Sequence, residues 1–254
     1  MMCAGIFKAG WKGMPGLGTL INCGAIVAGG LVGHFSGKLF RETQQDTLTK
    51  ACGVSTLFIA IAGAMEGMLS IRDGTVTSAK TLLVVLCLAL GTAVGEALGL
   101  ERGIERFGEW LKRRTGNSGD KNFVHAFVTA SLTVCVGAMA IVGSIRDGIM
   151  GDYSTLAVKA VLDFVIIMVM TSSMGKGCAF SALPVLMLQG GVTLLASVIA
   201  PVMTETAVQF LSLIGSVLIF CVGVNLVWGK MLRVANMLPA LILAVAAAYL
   251  PWSF

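Results

Sequence analysis

Charge is scarce in this sequence. Only 12% of its 254 residues are Asp, Glu, Lys or Arg, while 56% are apolar; a soluble globular domain carries about 25% charge. That shortage excludes an ordinary water-soluble domain. The mean hydropathy of +0.90 comes from long apolar runs with short polar breaks, the pattern of a chain that crosses a membrane several times. A net charge of +5 is correspondingly poor grounds for a nucleic-acid partner, and none is expected. Its distribution among the loops informs topology instead.

Metal and redox motifs are missing too. The seven cysteines (Cys3, Cys23, Cys52, Cys87, Cys135, Cys178, Cys221) stand singly, without C-x-x-C or Cys/His spacing. Neither a zinc site nor a disulfide framework is expected; a cysteine in an apolar segment serves as a small hydrophobe. His34 and His125 fall at helix ends without metal-ligand spacing. No nucleophile–base pair or phosphate-cradling glycine loop is visible, and Asp147 and Asp152, beside Gly148 and Gly151, fit no calcium loop. The expectation is a protein with no metal, no cofactor and no enzymatic activity.

Eight apolar segments are long enough to span about 30 Å at 1.5 Å per residue: 17–36, 52–70, 80–98, 124–144, 155–174, 179–200, 206–228 and 234–252. Seven spans remain possible, because only Gly175-Lys176-Gly177 divides the fifth from the sixth. The fold class is therefore an all-α polytopic transmembrane helix bundle. Leu20-Ile21-Asn22-Cys23 has the outline of a lipoprotein cleavage box, but the apolar run before it is too short. Residues 1–13 read as an N-terminal extension, with Met14 as a candidate start, and 14–254 as one transmembrane domain. Within it, 17–98 holds three spans, 99–123 a loop region and 124–252 five spans.

Basic residues set the expected orientation. Loops after the odd-numbered spans hold Lys38, Arg41, Lys50, Arg102, Arg106, Lys112, Arg113, Arg114, Lys121, Lys176, Lys230 and Arg233, against Lys8, Lys12, Arg72, Lys80 and Arg146 on the other side. The richer set belongs in the cytoplasm, which leaves both termini outside. Within 99–123, Leu100, Ile104, Phe107, Trp110 and Leu111 recur at helical spacing, with Glu101, Arg102, Glu105, Arg106, Glu109 and Arg113 on the other face. This predicts an amphipathic helix lying in the inner interface.

The stretch GAMEGMLSIRDG at 63–74 matches GAMAIVGSIRDG at 137–148 in eight of twelve positions. A second match, at an offset of 62, pairs Gly29, Val32, Gly33 and Gly37 with Gly91, Val94, Gly95 and Gly99. A duplicated helical hairpin explains both. Each Ser-Ile-Arg-Asp-Gly then marks an external helix end, with its Arg-Asp in water and Gly74 or Gly148 stopping the helix. Gly29-x3-Gly33-x3-Gly37 and Gly91-x3-Gly95-x3-Gly99 predict close helix packing; such faces also permit a homo-oligomer.

Polar residues inside the spans are the sharper signal, since a charge near the bilayer centre costs about 2.5–3.5 kcal/mol. Asp163 lies roughly 12 Å into the fifth span. Lys159, one turn away, can pair with it at i,i+4. The equivalent positions of the first repeat are Val85 and Ala89, so the pair departs from the repeat. Gln189 lies about as deep in the sixth span, where Pro184, Gly190 and Gly191 weaken the helix. Asn22 and Asn225 add amides, while Glu66 and Glu96 fall nearer span ends.

Several stretches together resemble a known family: Gly18-Thr19-Leu20-Ile21-Asn22, Phe127-Val128-Thr129-Ala130-Ser131, Cys135 to Ile145, and Arg233-Val234-Ala235-Asn236-Met237-Leu238-Pro239-Ala240. The chain is similar, from Met14 onward, to the YqgA/YdfK-like bacterial membrane proteins, a domain of unknown function. The resemblance implies a multi-pass protein of the bacterial inner membrane and brings no site residues. The residues themselves point first to a secondary transporter or channel for a small solute or ion. Asp163, Lys159, Gln189, Asn22 and Asn225 would line its pathway, and Asp163 is a candidate proton carrier. The alternative is a non-transporting scaffold or sensor acting through the amphipathic helix. A water-accessible cavity converging on Asp163 and Gln189 favours the first; a closed, tightly packed pair favours the second.

Overall fold

A computed structural model describes residues 15–37, 41–72, 75–78 and 80–250. The expected extension at 1–13 lies outside them. Helix α1 (Leu17–Gly37) is followed by α2 (Glu42–Met68), a short antiparallel hairpin of β1 (Leu69–Arg72) and β2 (Thr75–Ser78), and α3 (Thr81–Leu98). Next come α4 (Leu100–Arg114), α5 (Phe123–Cys135), α6 (Ala138–Met150) and α7 (Ser154–Met174). A 3-10 turn at Lys176–Ser181 leads into α8 (Ala182–Leu194) and the single-turn α9 (Ala196–Ile199). The chain then runs through α10 (Glu205–Trp228), α11 (Val234–Met237) and α12 (Pro239–Ala247).

Among the described residues, six helices are long and apolar enough to cross a membrane, or seven when α5 and α6 count as one span bent by 62°. The helical, multi-pass architecture expected from composition is therefore present, and the fifth and sixth spans are separate. The expected eighth span is not a full one. Pro239 starts a new helix after α11, and the apolar helical stretch Val234–Ala247 reaches only about 21 Å at 1.5 Å per residue. Large apolar side chains such as Phe58, Ile59, Leu90, Val161 and Ile242 stand exposed around the outside, as lipid contact requires and water contact does not.

Helix pairs organise the bundle: α1 packs chiefly on α7, α2 on α10, and α3 on α11 and α12. Glycine makes the first and third possible. A methyl group at Gly29, Gly33 or Gly37 would overlap the carbonyl oxygens of Phe164, Met168 and Ser172, and one at Gly91 or Gly95 would overlap the backbone of Ala240 or Asn236. Both small-residue stripes are thus filled within the chain by dispersion contacts between backbones. Their order also fixes direction. Gly18 meets Leu156, Gly29 meets Phe164 and Gly37 meets Ser172, so α1 and α7 run parallel.

The two Ser-Ile-Arg-Asp-Gly stretches are not equivalent helix ends. The first enters β1, and its Asp73 and Gly74 lie outside the described residues. The second lies inside α6, which continues past Gly148 and stops at Gly151, with φ of +65°. Gly148 instead permits contact with the carbonyl of Thr193. Arg146 is exposed, but Asp147 is fully buried rather than in water.

The amphipathic helix forms as expected, but one charged position is buried. Phe107 stacks on Trp110 and meets Phe127 of α5. Glu101, expected on the polar face, is covered: Lys230 Nζ lies 2.7 Å from its carboxylate and 2.6 Å from that of Glu105. Its backbone N–H donates to Asn236 Oδ1 at 2.7 Å. Burial works against the Lys230 charge, but hydrogen bonds to Glu101 and Glu105 outweigh it and hold the ammonium above the usual lysine range. The loop after α10 and the start of α11 thereby fasten α4 against the bundle.

Candidate functional site

Four of the five polar residues singled out in the sequence meet in one buried network. Lys159 and Asp163 lie one turn apart on α7, and Lys159 Nζ donates to Asp163 Oδ2 at 2.6 Å. Asn22 of α1 donates from Nδ2 to the same carboxylate oxygen at 3.0 Å and to Gln189 Oε1 of α8 at 3.3 Å. All four side chains are buried. Parallel packing of α1 on α7 sets Asn22 beside Asp163, and antiparallel α8 brings Gln189 to the same level.

The pair also sits at a broken helix. The fourth apolar segment reads as continuous, yet it divides at Val136-Gly137, where Val136 is extended and Gly137 has φ of +150°. Glycine tolerates that conformation without the Cβ clash other residues meet. The break leaves carbonyls at the end of α5 without helical partners. Lys159 Nζ donates to one of them, Val134 O, at 2.8 Å. A cation there also complements the negative end of the helix dipole. The ammonium therefore serves a carboxylate and a helix terminus together.

Several polar atoms in this region have no protein partner: Asn22 Oδ1, Gln189 Nε2, Thr19 Oγ1, Thr193 Oγ1 and one oxygen of Asp147. The other Asp147 oxygen accepts from the Gly18 N–H at 3.0 Å, so this carboxylate from α6 caps the start of α1. Sequence reasoning missed Asp147, Val134 and Asn236. Gly137, the first residue of the repeat match, was the one available sign of the break.

Asn225 is elsewhere. Its Nδ2 donates to Leu232 O at 2.7 Å, and its Oδ1 accepts from the N–H groups of Met231 and Leu232 at 3.0 and 2.8 Å. It holds the turn after α10 and lines a 470 Å³ cavity with Asp46, Lys50, Asn122 and His125. A larger, apolar cavity of 670 Å³ adjoins the helix break, lined by Phe107, Val136, Gly137, Pro184 and Leu241 among others. Neither cavity is lined by Asn22, Lys159, Asp163 or Gln189. Among the described residues, no group of His, Cys, Asp and Glu could hold a metal ion.

Comparison with known proteins agrees with the architecture. The family described as "Protein of unknown function (DUF554)" matches residues 17–249. The "Uncharacterized membrane protein YdfK" of Bacillus subtilis (strain 168) is 27% identical over 237 residues, covering 93% of this chain and 97% of its own. The "Uncharacterized protein YqgA" of Escherichia coli (strain K12) is 28% identical over 238 residues, covering 93% and 98%. No solved structure matches. With helices suited to membrane crossing, and a match across nearly its whole length, the chain belongs to the DUF554 family of proteins of unknown function.

Proposed function

We propose that the protein is a secondary transporter or channel for a small solute or ion in the bacterial inner membrane. Its site is the Asn22–Lys159–Asp163–Gln189 network, in a closed state. One observation carries the reading: an ion pair, two amides and unpaired polar atoms meet at a broken helix inside an apolar bundle. An unpaired buried polar atom costs about 1–3 kcal/mol, a burden that mere packing would not require. Broken helices near the midplane are where many transporters hold substrate. The excess of Lys and Arg in the loops after the odd-numbered spans supports an external start for α1.

The test begins with an untargeted comparison of metabolites in cells lacking and overproducing the protein. Uptake of the responding solute is then measured in proteoliposomes. Asp163→Asn is expected to abolish it; undiminished uptake overturns the assignment. The criterion of access favours the scaffold reading: no described cavity reaches Asp163 or Gln189, and the four side chains are between 0% and 8% exposed. That reading predicts instead that substitutions on the exposed face of α4 alone produce the deletion phenotype.

A further inference from the structure

Buried polar atoms without a partner continue directly from the site in one direction only. In the other, those of Thr171 and Ser181 lie beyond an apolar layer, and this asymmetry assigns the site a side. From Asn22, one turn toward the start of α1 leads to Thr19. From Gln189, one turn toward the end of α8 leads to Thr193. Both hydroxyls are buried without a partner. The Thr193 backbone touches Gly148, next to Asp147, whose carboxylate reaches Gly18 beside Thr19. The groups therefore lie in turn-by-turn succession from Asp147 through Thr19 and Thr193 to Gln189, Asn22 and Asp163.

One turn in the opposite direction, the same three helices carry only hydrocarbon. Asn22 is followed by Ile26, Asp163 by Ile167, and Gln189 is preceded by Val185. All three are completely buried and belong to one core cluster. This layer offers water no hydrogen-bonding partner, while a buried water needs two to four. The polar series supplies them at each step.

Resting on the transport reading, we infer that the site opens toward the membrane face at which α1 begins, along a polar column bounded by Asp147, Thr19 and Thr193 that is closed in this structure. It is shut toward the opposite face by the Ile26–Ile167–Val185 layer. Once open, the column admits water and small hydrogen-bonding solutes; the apolar layer must part for release on the other side.

Cysteine accessibility tests this without knowledge of the solute. In the full chain with its native cysteines replaced, Thr19→Cys, Thr193→Cys, Val185→Cys and the surface variant Val161→Cys are made singly. Each is treated with a membrane-impermeant trimethylammonium methanethiosulfonate in vesicles of both orientations. Variants that keep the parent elution profile in detergent are scored, and either threonine position suffices. The Thr19→Cys or Thr193→Cys thiol is expected to react at least about tenfold faster than that of Val161→Cys, from one side only, because thiolate forms where water reaches the sulfur. Val185→Cys should be unreactive from both sides. Threonine-position rates no faster than that of Val161→Cys, or a Val185→Cys rate equal to them, overturn the inference. If labelling fails while Asp163→Asn still abolishes uptake, the transport reading stands and the access route is wrong. If labelling succeeds while Asp163→Asn transports normally, the column stands and the transport assignment of Asp163 falls.

Discussion

Lys159 Nζ stands 2.8 Å from the carbonyl oxygen of Val134 while bonded to Asp163. One ammonium thus ties the broken end of α5 to the middle of α7. Either partner alone would be a poor tenant of an apolar bundle: a buried charge without its counter-ion costs several kcal/mol, and an unpaired carbonyl costs a further fraction of that. Together they make the helix break possible, and the break makes a polar site possible.

The pair therefore separates fold from function. Lys159→Met leaves the Asp163 carboxylate without its cation and Val134 O without a donor, a loss of about 3–5 kcal/mol. The double variant Lys159→Met/Asp163→Leu removes both charges and should regain most of that stability. Thermal unfolding in detergent, followed by elution of intact protein, measures both. If the network serves transport, the double variant folds yet remains inactive in the assay that detects wild-type activity. Full activity of a folded double variant would make the pair a structural device.

Glycine positions give a second expectation, independent of any site. Gly33→Leu drives a side chain into the Met168 carbonyl and the Thr171 side chain, so α1 and α7 must separate. Overpacking of this kind costs about 1–3 kcal/mol. Gly24, on the same helix, faces nothing within 4 Å, and Gly24→Ala should leave the melting temperature unchanged or slightly raised. Equal melting shifts for the two would refute the packing role of the stripe.

Much of this was legible in the sequence because lipid imposes simple rules. Apolar length marked the long helices, and the four-residue glycine spacing marked two tight interfaces. The cost of burying charged and polar groups picked out Lys159, Asp163, Asn22 and Gln189. Asn225 obeyed the same rule and was misplaced, because an amide at a helix end can be satisfied by the next turn. The break at Gly137 was hidden in a run whose hydropathy never falls. Asp147 was hidden by its repeat: the shared pentapeptide suggested a helix end in water, but this copy lies inside α6 with its carboxylate against the start of α1.

Lys230 provides a pH expectation. Its folded-state affinity for a proton is raised by Glu101 and Glu105 despite the opposing effect of burial. A raised lysine contributes stability that is fully present below the unfolded value of about 10.4. That contribution is lost as pH rises through the folded value. Anchoring of α4 should therefore be unchanged across neutral pH and weaken only in strongly alkaline solution. Lys230→Met should remove the alkaline step while loosening α4 at every pH. Trp110, on α4 and 56% exposed, is a fluorescent reporter; a step near neutrality would contradict the assignment.

Asp147 yields the last expectation, because its two candidate roles diverge under substitution. As a cap, its carboxylate satisfies the Gly18 N–H at the start of α1. Removing a helix cap costs about 0.5–2 kcal/mol. Asp147→Ala should accordingly lower the melting temperature, while Asp147→Asn keeps an acceptor at the same place and should lower it less. As the mouth of a polar column, however, the residue also supplies charge, which asparagine does not. If the column is used, Asp147→Asn should slow modification of the Thr193→Cys thiol by the cationic reagent while leaving a neutral hydrophilic reagent nearly unaffected, since only the former is drawn by a carboxylate. Equal slowing of both reagents would assign Asp147 to capping alone.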